Sequence, residues 1–376
     1  MGALILALLV GVVMLLFMGV NPIDAFGALL NGAFGNKFAL ANTVVKATPI
    51  LFVGLGICIS FRAGVLNIGG EGQLVVGGLA AVSIALAIPT WPGWIVIILA
   101  CLGGAIAGAI WGGIAGVLKA YFRVNEVLST IMLNYIAVYL MTFIIHGPLM
   151  DPKQQESGSF IPETARIARS CDLPRLIPTR AHLGIVIAIV LAVLVYIFLW
   201  RTTIGFRLRM IGKNQRASLN AGINVKSYTI LALLLGGAFA GLGGAVEILG
   251  VRYNMFTDSS MSCFTSSAGF NGIVAALFGQ LHPIGAIPAS FLLGALLSGA
   301  QKMQRVVQVP SALIGTLNGL IVLFVVGSEV IRRRLSARAE LTEEKAADFK
   351  REQDSDLEES SQAEEPSELG DIDKID

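Results

Sequence analysis

The chain has 376 residues, of which 55% are hydrophobic and only 14% charged, and its mean hydropathy is +0.75. Soluble domains carry about 25% charged residues, so the composition excludes an ordinary soluble globular protein and places the chain in a membrane. The net charge of +2 conceals two regions: residues 340–376 hold 15 acidic and 4 basic residues, a net of −11, and the remainder holds 10 acidic and 23 basic residues, a net of +13. The acidic end is rich in Ser, Glu and Asp and lacks apolar periodicity, so residues 336–376 are expected to form a disordered tail. Cys58, Cys101, Cys171 and Cys263 show no paired spacing, so neither a disulfide framework nor a metal site is expected.

A helix needs about 20 mostly apolar residues to cross the bilayer core. By that measure ten segments qualify, near 2–20, 40–61, 71–89, 94–118, 127–147, 183–200, 228–250, 269–282, 285–301 and 310–331. The first has no basic flank and no Ala-x-Ala site, so it reads as a transmembrane helix rather than a signal peptide. The eighth and ninth are short and are separated by His282-Pro283, which marks them as broken or half-inserted. The fold class expected is an all-α polytopic membrane protein of about ten transmembrane helices, some broken, with both termini cytoplasmic. Orientation follows from Lys and Arg in short loops. Residues 201–227 carry Arg201, Arg207, Arg209, Lys213, Arg216 and Lys226 with no acid, and Arg332, Arg333 and Arg334 follow the last segment. Lys119 and Arg123 then fall on the same, inner side. Residues 147–182 become an external loop of mixed charge, and residues 1–335 form one membrane domain.

Gly104, Gly108, Gly112 and Gly116 recur every four residues, and Gly237, Gly241 and Ala245 repeat the device. Small-xxx-small stripes let helix backbones approach closely in lipid. One stretch breaks the apolar pattern: Gly64 to Gln73 is a glycine-rich polar island between two long apolar runs. It is either an inner loop anchored by Arg62 or a helix break lining a path for a polar solute, since unpartnered polar groups are costly in lipid.

Enzyme signatures are scarce. His146, His182 and His282 are scattered, no Gly-x-Ser-x-Gly elbow occurs, and Gly212-Lys213 is followed by Asn214 without the earlier glycine of a P-loop. The chain is therefore expected to bind no ATP and no cofactor. Glu247 is the only acid deep inside an expected helix, with Arg252 as its nearest partner.

Four stretches carry a family resemblance: Asn67-Ile68-Gly69-Gly70-Glu71-Gly72-Gln73; Asn125-Glu126-Val127-Leu128-Ser129-Thr130-Ile131-Met132-Leu133-Asn134-Tyr135; Thr203 to Arg209 with Ile211 to Asn214 and Ala221-Gly222-Ile223; and Gly269-Phe270-Asn271-Gly272-Ile273-Val274-Ala275-Ala276-Leu277. In this order they resemble permease subunits of bacterial ABC importers, in the family that includes ribose and branched-chain amino acid permeases, and the first two stretches most resemble its nucleoside-importing and related simple-sugar branch. The resemblance implies a translocation path working by alternating access in the plasma membrane. ATP would be bound by separate ATPase subunits, a second permease subunit would complete the path, and a solute-binding lipoprotein would deliver a small polar solute from outside. It further implies that residues 214–222 dock on the ATPase, with Gly205, Arg207, Arg209, Gly212, Lys213, Asn214, Ala217 and Gly222 as coupling residues. Asn67, Glu71, Gln73, Asn134, Glu247 and Asn271 are the candidates for the solute path, because amides both donate and accept hydrogen bonds to hydroxyls and nucleobase edges. Ribose-like sugars, or an ATP-independent secondary transporter or channel, are the competing expectations. Besides the solute and these protein partners only membrane lipid is implied, and no nucleic acid.

Overall fold

The computed structural model describes residues 2–157, 162–260 and 263–308, with isolated positions further on, and these belong almost entirely to one compact unit, residues 1–325. The regular elements among the described residues are all helices, apart from isolated β-bridges. The helices are α1 (Gly2–Phe17), α2 (Pro22–Phe34), α3 (Lys37–Arg62), α4 (Gly70–Ala87), α5 (Gly93–Phe122), α6 (Glu126–His146), α7 (Pro152–Ser157), α8 (Gly184–Arg201), α9 (Thr203–Lys213), α10 (Gln215–Asn220), α11 (Val225–Glu247), α12 (Ala268–Phe278) and α13 (Pro283–Val307). A π-helical turn, Ile248–Arg252, extends α11.

Among the described residues, seven helices are long and apolar enough to cross a membrane: α3, α4, α5, α6, α8, α11 with its π turn, and α13. The remaining three expected segments fare differently. α1 has 16 residues and stops at Gly19, whose φ of +70° ends the helix. α12 has 11 residues, and the segment at 310–331 lies outside the described residues except for isolated positions, while Arg332 to Arg334 and the acidic tail lie wholly outside them. The ninth expected segment is not short. It runs 25 residues as α13, because Pro283 sits at the first helical position, where its missing N–H costs nothing. Hydropathy overlooked α2, a 13-residue helix capped by the Asn21 side chain.

Burial sorts the long helices into a centre and a rim. The most apolar windows of α3 and α4 are 83% and 72% buried, whereas those of α5 and α8 are 22% and 28% buried. α3 and α4 therefore form the centre, and α5 and α8 turn side chains such as Ile106, Ile110 and Val190 outward, where lipid is their solvent. The glycine stripes do the packing expected of them. A Cβ on Gly108 would lie 2.3 Å from the Gly237 carbonyl oxygen, and one on Gly241 would lie 2.2 Å from that of Gly104. Only glycine permits this approach of α5 to α11.

The two ends of the bundle differ. One end carries α9 and α10. The other is covered by residues 147–157 and 162–182, of which the second stretch is folded against the chain following α11: Thr164 N–H donates to the Met255 carbonyl (2.8 Å), Ile167 N–H to Tyr253 (2.9 Å) and Leu173 N–H to Leu249 (2.8 Å). His182 closes this cover. It is 2% exposed, its Nδ1 accepts the Gly184 N–H at 3.2 Å, and burial holds its pKa down to about 4.

Candidate functional site

The polar island is a helix break. α3 ends at Arg62, and Gly64, with φ of +76°, turns the chain back into the bundle. Residues 65–69 then run irregularly until α4 begins at Gly70. A Cβ on Gly70 would lie 2.8 Å from a methyl of Val53. Val53 is nine residues before Arg62 on α3, so α4 starts roughly 13 Å up the helix from its end.

Buried irregular backbone must find partners, and here it does. Asn134 of α6 accepts the Gly72 N–H through Oδ1 (2.8 Å) and donates Nδ2 to the Ile68 carbonyl (3.0 Å). Asn67 and Gln73 exchange two amide hydrogen bonds, of 3.2 and 3.1 Å, and Asn67 Oδ1 also accepts the Gly69 N–H. All three amides are 0–1% exposed.

α12 meets α4 at this depth. A Cβ on Gly269 would lie 2.4 Å from the Glu71 nitrogen, and Glu71 Oε1 accepts the Phe270 N–H at 3.4 Å. The fully buried carboxyl thus lies at the N-termini of two short-reaching helices, where both dipoles favour negative charge. Among the described residues its Oε2 is buried without a hydrogen bond. Asn271, in the first turns of α12, is buried nearby but makes no side-chain hydrogen bond among the described residues. α12 is bracketed by two pairs of non-glycine residues with left-handed backbone, Ser266-Ser267 (φ 50° and 61°) and Gln280-Leu281 (φ 58° and 55°). Such conformations cluster where structure is held under constraint.

Above this junction, toward the covered end, lies a cavity of about 810 Å³. Thr265, Ser266 and Ala268 line it beside the junction; Asn42, Lys46 and Pro49 contribute from α3, Glu247 from α11, and Gln301 and Arg305 from α13. Glu247 Oε1 accepts from Arg252 Nε at 3.3 Å, which is the partner expected for it. The six expected path residues therefore fall in three places: Asn67, Gln73 and Asn134 in one closed network, Glu71 and Asn271 at the α4–α12 junction, and Glu247 in the cavity. The reading of the sequence missed Lys46, Asn42 and Gln301. A lone lysine within Val44-Val45-Lys46-Ala47 was the available signal.

The opposite end carries the basic segment, which is two helices rather than a loop. Thr202 caps α9 by accepting the Gly205 N–H (3.1 Å), and Asn214 caps α10 by accepting the Ala217 N–H (3.0 Å). Gly222, with φ of +76°, closes α10, and Ile223 N–H donates back to the Ser218 carbonyl. Arg207 donates to the Tyr228 hydroxyl at 2.9 Å, and Arg209 stacks over Trp200. Lys213, Asn214, Ala217 and Gly222 are exposed, and so is Leu219, at 58%. Gly205 packs on the end of α8, and a Cβ on Gly212 would lie 2.1 Å from the Arg62 carbonyl oxygen. Arg62 in turn donates to the carbonyls of Leu281 (3.0 Å) and Gln280 (3.3 Å). The α9–α10 segment thus touches the turn before the island, and that turn touches the end of α12.

Residues 39–326 match the family described as "Branched-chain amino acid transport system / permease component". The chain is 39% identical to a guanosine ABC transporter permease protein of Bacillus subtilis, NupP, over 88% of its own length and 93% of the relative's. It is 32% identical to a glucose ABC transporter permease protein of Haloferax volcanii, TsgB13, over 87% and 86%. With a nucleoside ABC transporter permease protein of Lactococcus lactis, NupB, the identity is 31%, over 86% and 88%. No solved structure matches. A family match across more than three quarters of the chain, on seven apolar helices, makes this chain a multi-pass plasma-membrane protein, a transport subunit rather than an enzyme, and a member of the branched-chain amino acid-type permease family of ABC transporters.

Proposed function

We propose that the chain carries nucleosides through the membrane as one of two permease subunits of an ATP-driven importer. The observation that supports this best is the polar cavity of about 810 Å³, within the roughly 300–1,000 Å³ typical of small-molecule sites. Its amides, hydroxyls and opposite charges suit a solute rich in both donors and acceptors. Two of the relatives named above carry guanosine or nucleoside in their names. The glucose permease among them favours a second reading, a sugar such as ribose or glucose.

In this proposal both termini are cytoplasmic, and α1, α12 and residues 310–331 complete ten membrane segments, α12 crossing only part of the way. Residues 1–335 form the permease domain and 336–376 a cytoplasmic acidic tail. The basic end, with Lys119, Arg123, Arg201, Arg207, Arg209 and Lys213, faces the cytoplasm. Residues 147–182 face outward, toward a solute-binding lipoprotein. α10, with Asn214, Ala217 and Gly222, docks on an ATPase subunit. Gly205 and Gly212 let α9 seat against α8 and the Arg62 turn, so that ATPase closure reaches α4 and α12.

The path runs from Glu247 through the cavity to the Glu71 and Asn271 junction. Asn67, Gln73 and Asn134 hold the break that flanks it. In this reading that junction is the closed inner side, and alternating access requires it to part. Vesicle uptake of labelled guanosine with ATP depleted and the proton gradient maintained tests the reading. The expected result is no uptake until ATP is restored inside. Undiminished uptake without ATP would instead mark a secondary transporter.

A further inference from the structure

A groove of about 470 Å³ runs between α5 and α11 on the exposed face of the bundle. Ile110, Ile114, Val117 and Leu118 form one wall and Ile230 and Leu234 the other, and among the described residues no polar side chain lines it. A Cβ on Gly113 would lie 2.8 Å from a methyl of Leu234, so the glycine lets that leucine lie across the floor. Leu118 is eight residues after Ile110, which makes the groove roughly 12 Å long. One leaflet of the hydrocarbon core is roughly 15 Å deep, half of about 30 Å. The groove therefore matches a single leaflet in depth and a lipid tail in polarity.

The mouth of the groove is charged. Tyr121 continues the α5 wall one turn beyond Val117 and Leu118, and Lys226 continues the α11 wall one turn before Ile230. The two meet there, with Lys226 Nζ 5.3 Å from the centre of the Tyr121 ring. Both are exposed, at the helix ends, where aromatic rings and basic side chains collect beside lipid headgroups. Lys226 makes no ion pair among the described residues. Glu126, the acid that follows α5, is held by Lys119 at 2.5 Å, and residues 201–227 carry no acid. A second copy of the chain seated on this face therefore brings no free carboxylate from these stretches to Lys226. The acidic residues of 340–376 carry charge but no apolar run to fill the groove. A phospholipid supplies both parts, a tail and a phosphate.

We propose that the α5–α11 groove is a binding site for one anionic phospholipid. An acyl chain lies against Ile114 and Leu234, and Lys226 holds the phosphate beside Tyr121. In the orientation proposed above this is the cytoplasmic leaflet, where anionic headgroups attract basic residues near the surface. α11 begins three residues after Gly222, so the lipid fastens to the membrane the foot of the helix that follows the docking segment.

The test uses the full-length permease, purified with its partner subunits and stripped of lipid. Its melting temperature is followed as phosphatidylglycerol, or phosphatidylcholine with the same acyl chains, is added. One basic residue beside an anionic headgroup is worth about fivefold in affinity, so phosphatidylglycerol should stabilise at about fivefold lower concentration. Lys226→Gln should abolish that preference, and Lys226→Arg should keep it. Ile114→Trp, which fills the groove from a position 40% exposed, should weaken the response to both lipids. If Ile114→Trp fails to assemble, the variants of the exposed Lys226 still decide the question. Equal midpoints for the two lipids in wild type, or an unchanged preference in Lys226→Gln, would overturn the proposal. Chainless glycerophosphate that gives the full shift would also overturn it, by marking a soluble phosphate site. So would a disulfide between two Ile114→Cys copies, which would give the groove to a second permease subunit. None of these readouts involves a solute, so their failure leaves the nucleoside reading untouched.

Discussion

The closed network around the island and the open cavity beside it are built from the same side chains and use them oppositely. Asn67, Gln73 and Asn134 are at most 1% exposed, and each amide is bonded to a neighbour or to irregular backbone. Asn42, Lys46 and Gln301 line space instead. Polar groups in a membrane protein are expensive in either setting. The first group offsets the expense within the protein; the second turns its donors and acceptors toward open space. Polarity inside a membrane domain is therefore a poor guide to the solute path until the partners of each group are known.

The sharpest way to break this contrast is Asn134→Ala. It leaves the Gly72 N–H and the Ile68 carbonyl without partners, at a cost of about 1–3 kcal/mol each. The solubilised protein should unfold at a clearly lower temperature and assemble poorly; wild-type melting would mean that the network does not fasten the break. A second effect concerns the cover over the cavity. The buried neutral His182 has a pKa near 4, against roughly 6.5 when unfolded. Its folded value is depressed, so its contribution is fully present above about pH 6.5 and is lost as pH falls toward 4, by about 3 kcal/mol in all. Melting scans of wild type and His182→Gln should diverge in slope over that window. Parallel curves would exclude proton uptake by His182. The smallest effect on stability is expected for the exposed Asn42. Asn42→Ala should change stability by less than about 0.5 kcal/mol while slowing uptake at unchanged assembly. A large drop in melting temperature would move Asn42 into the fastening group.

Much of the fold was legible because crossing a bilayer demands long apolar runs, and the boundaries of α3 to α6, α8 and α11 fall within a few residues of those runs. The break was legible only as an anomaly. Whether Gly64 to Gln73 is a loop or a break depends on Asn134, more than sixty residues later, supplying both a donor and an acceptor, and no local pattern encodes that. α2 escaped notice because a 13-residue helix with Asn, Asp and Pro falls below any spanning window. Lys46 escaped because a hydropathy average absorbs one lysine among valines, although a single charge in such a run is the rarer event. Arg252 was readable as the nearest partner for Glu247, but residues five apart do not share a face of an α-helix; the π-helical turn Ile248–Arg252 brings the two together. The rest of the cavity was not, because α3, α11 and α13 meet there only in three dimensions.

The left-handed pairs on either side of α12 have an energetic consequence. Each non-glycine residue held in that region costs roughly 1–2 kcal/mol, so Ser266, Ser267, Gln280 and Leu281 together hold several kcal/mol in four torsions. Inverting a two-state population from 1:99 to 99:1 takes about 5.5 kcal/mol. The two quantities are of one order. A single eleven-residue rod, clasped at one end by Arg62 and at the other by Glu71, thus stores on its own turns a load comparable to the free-energy gap between two settled states of a molecular switch.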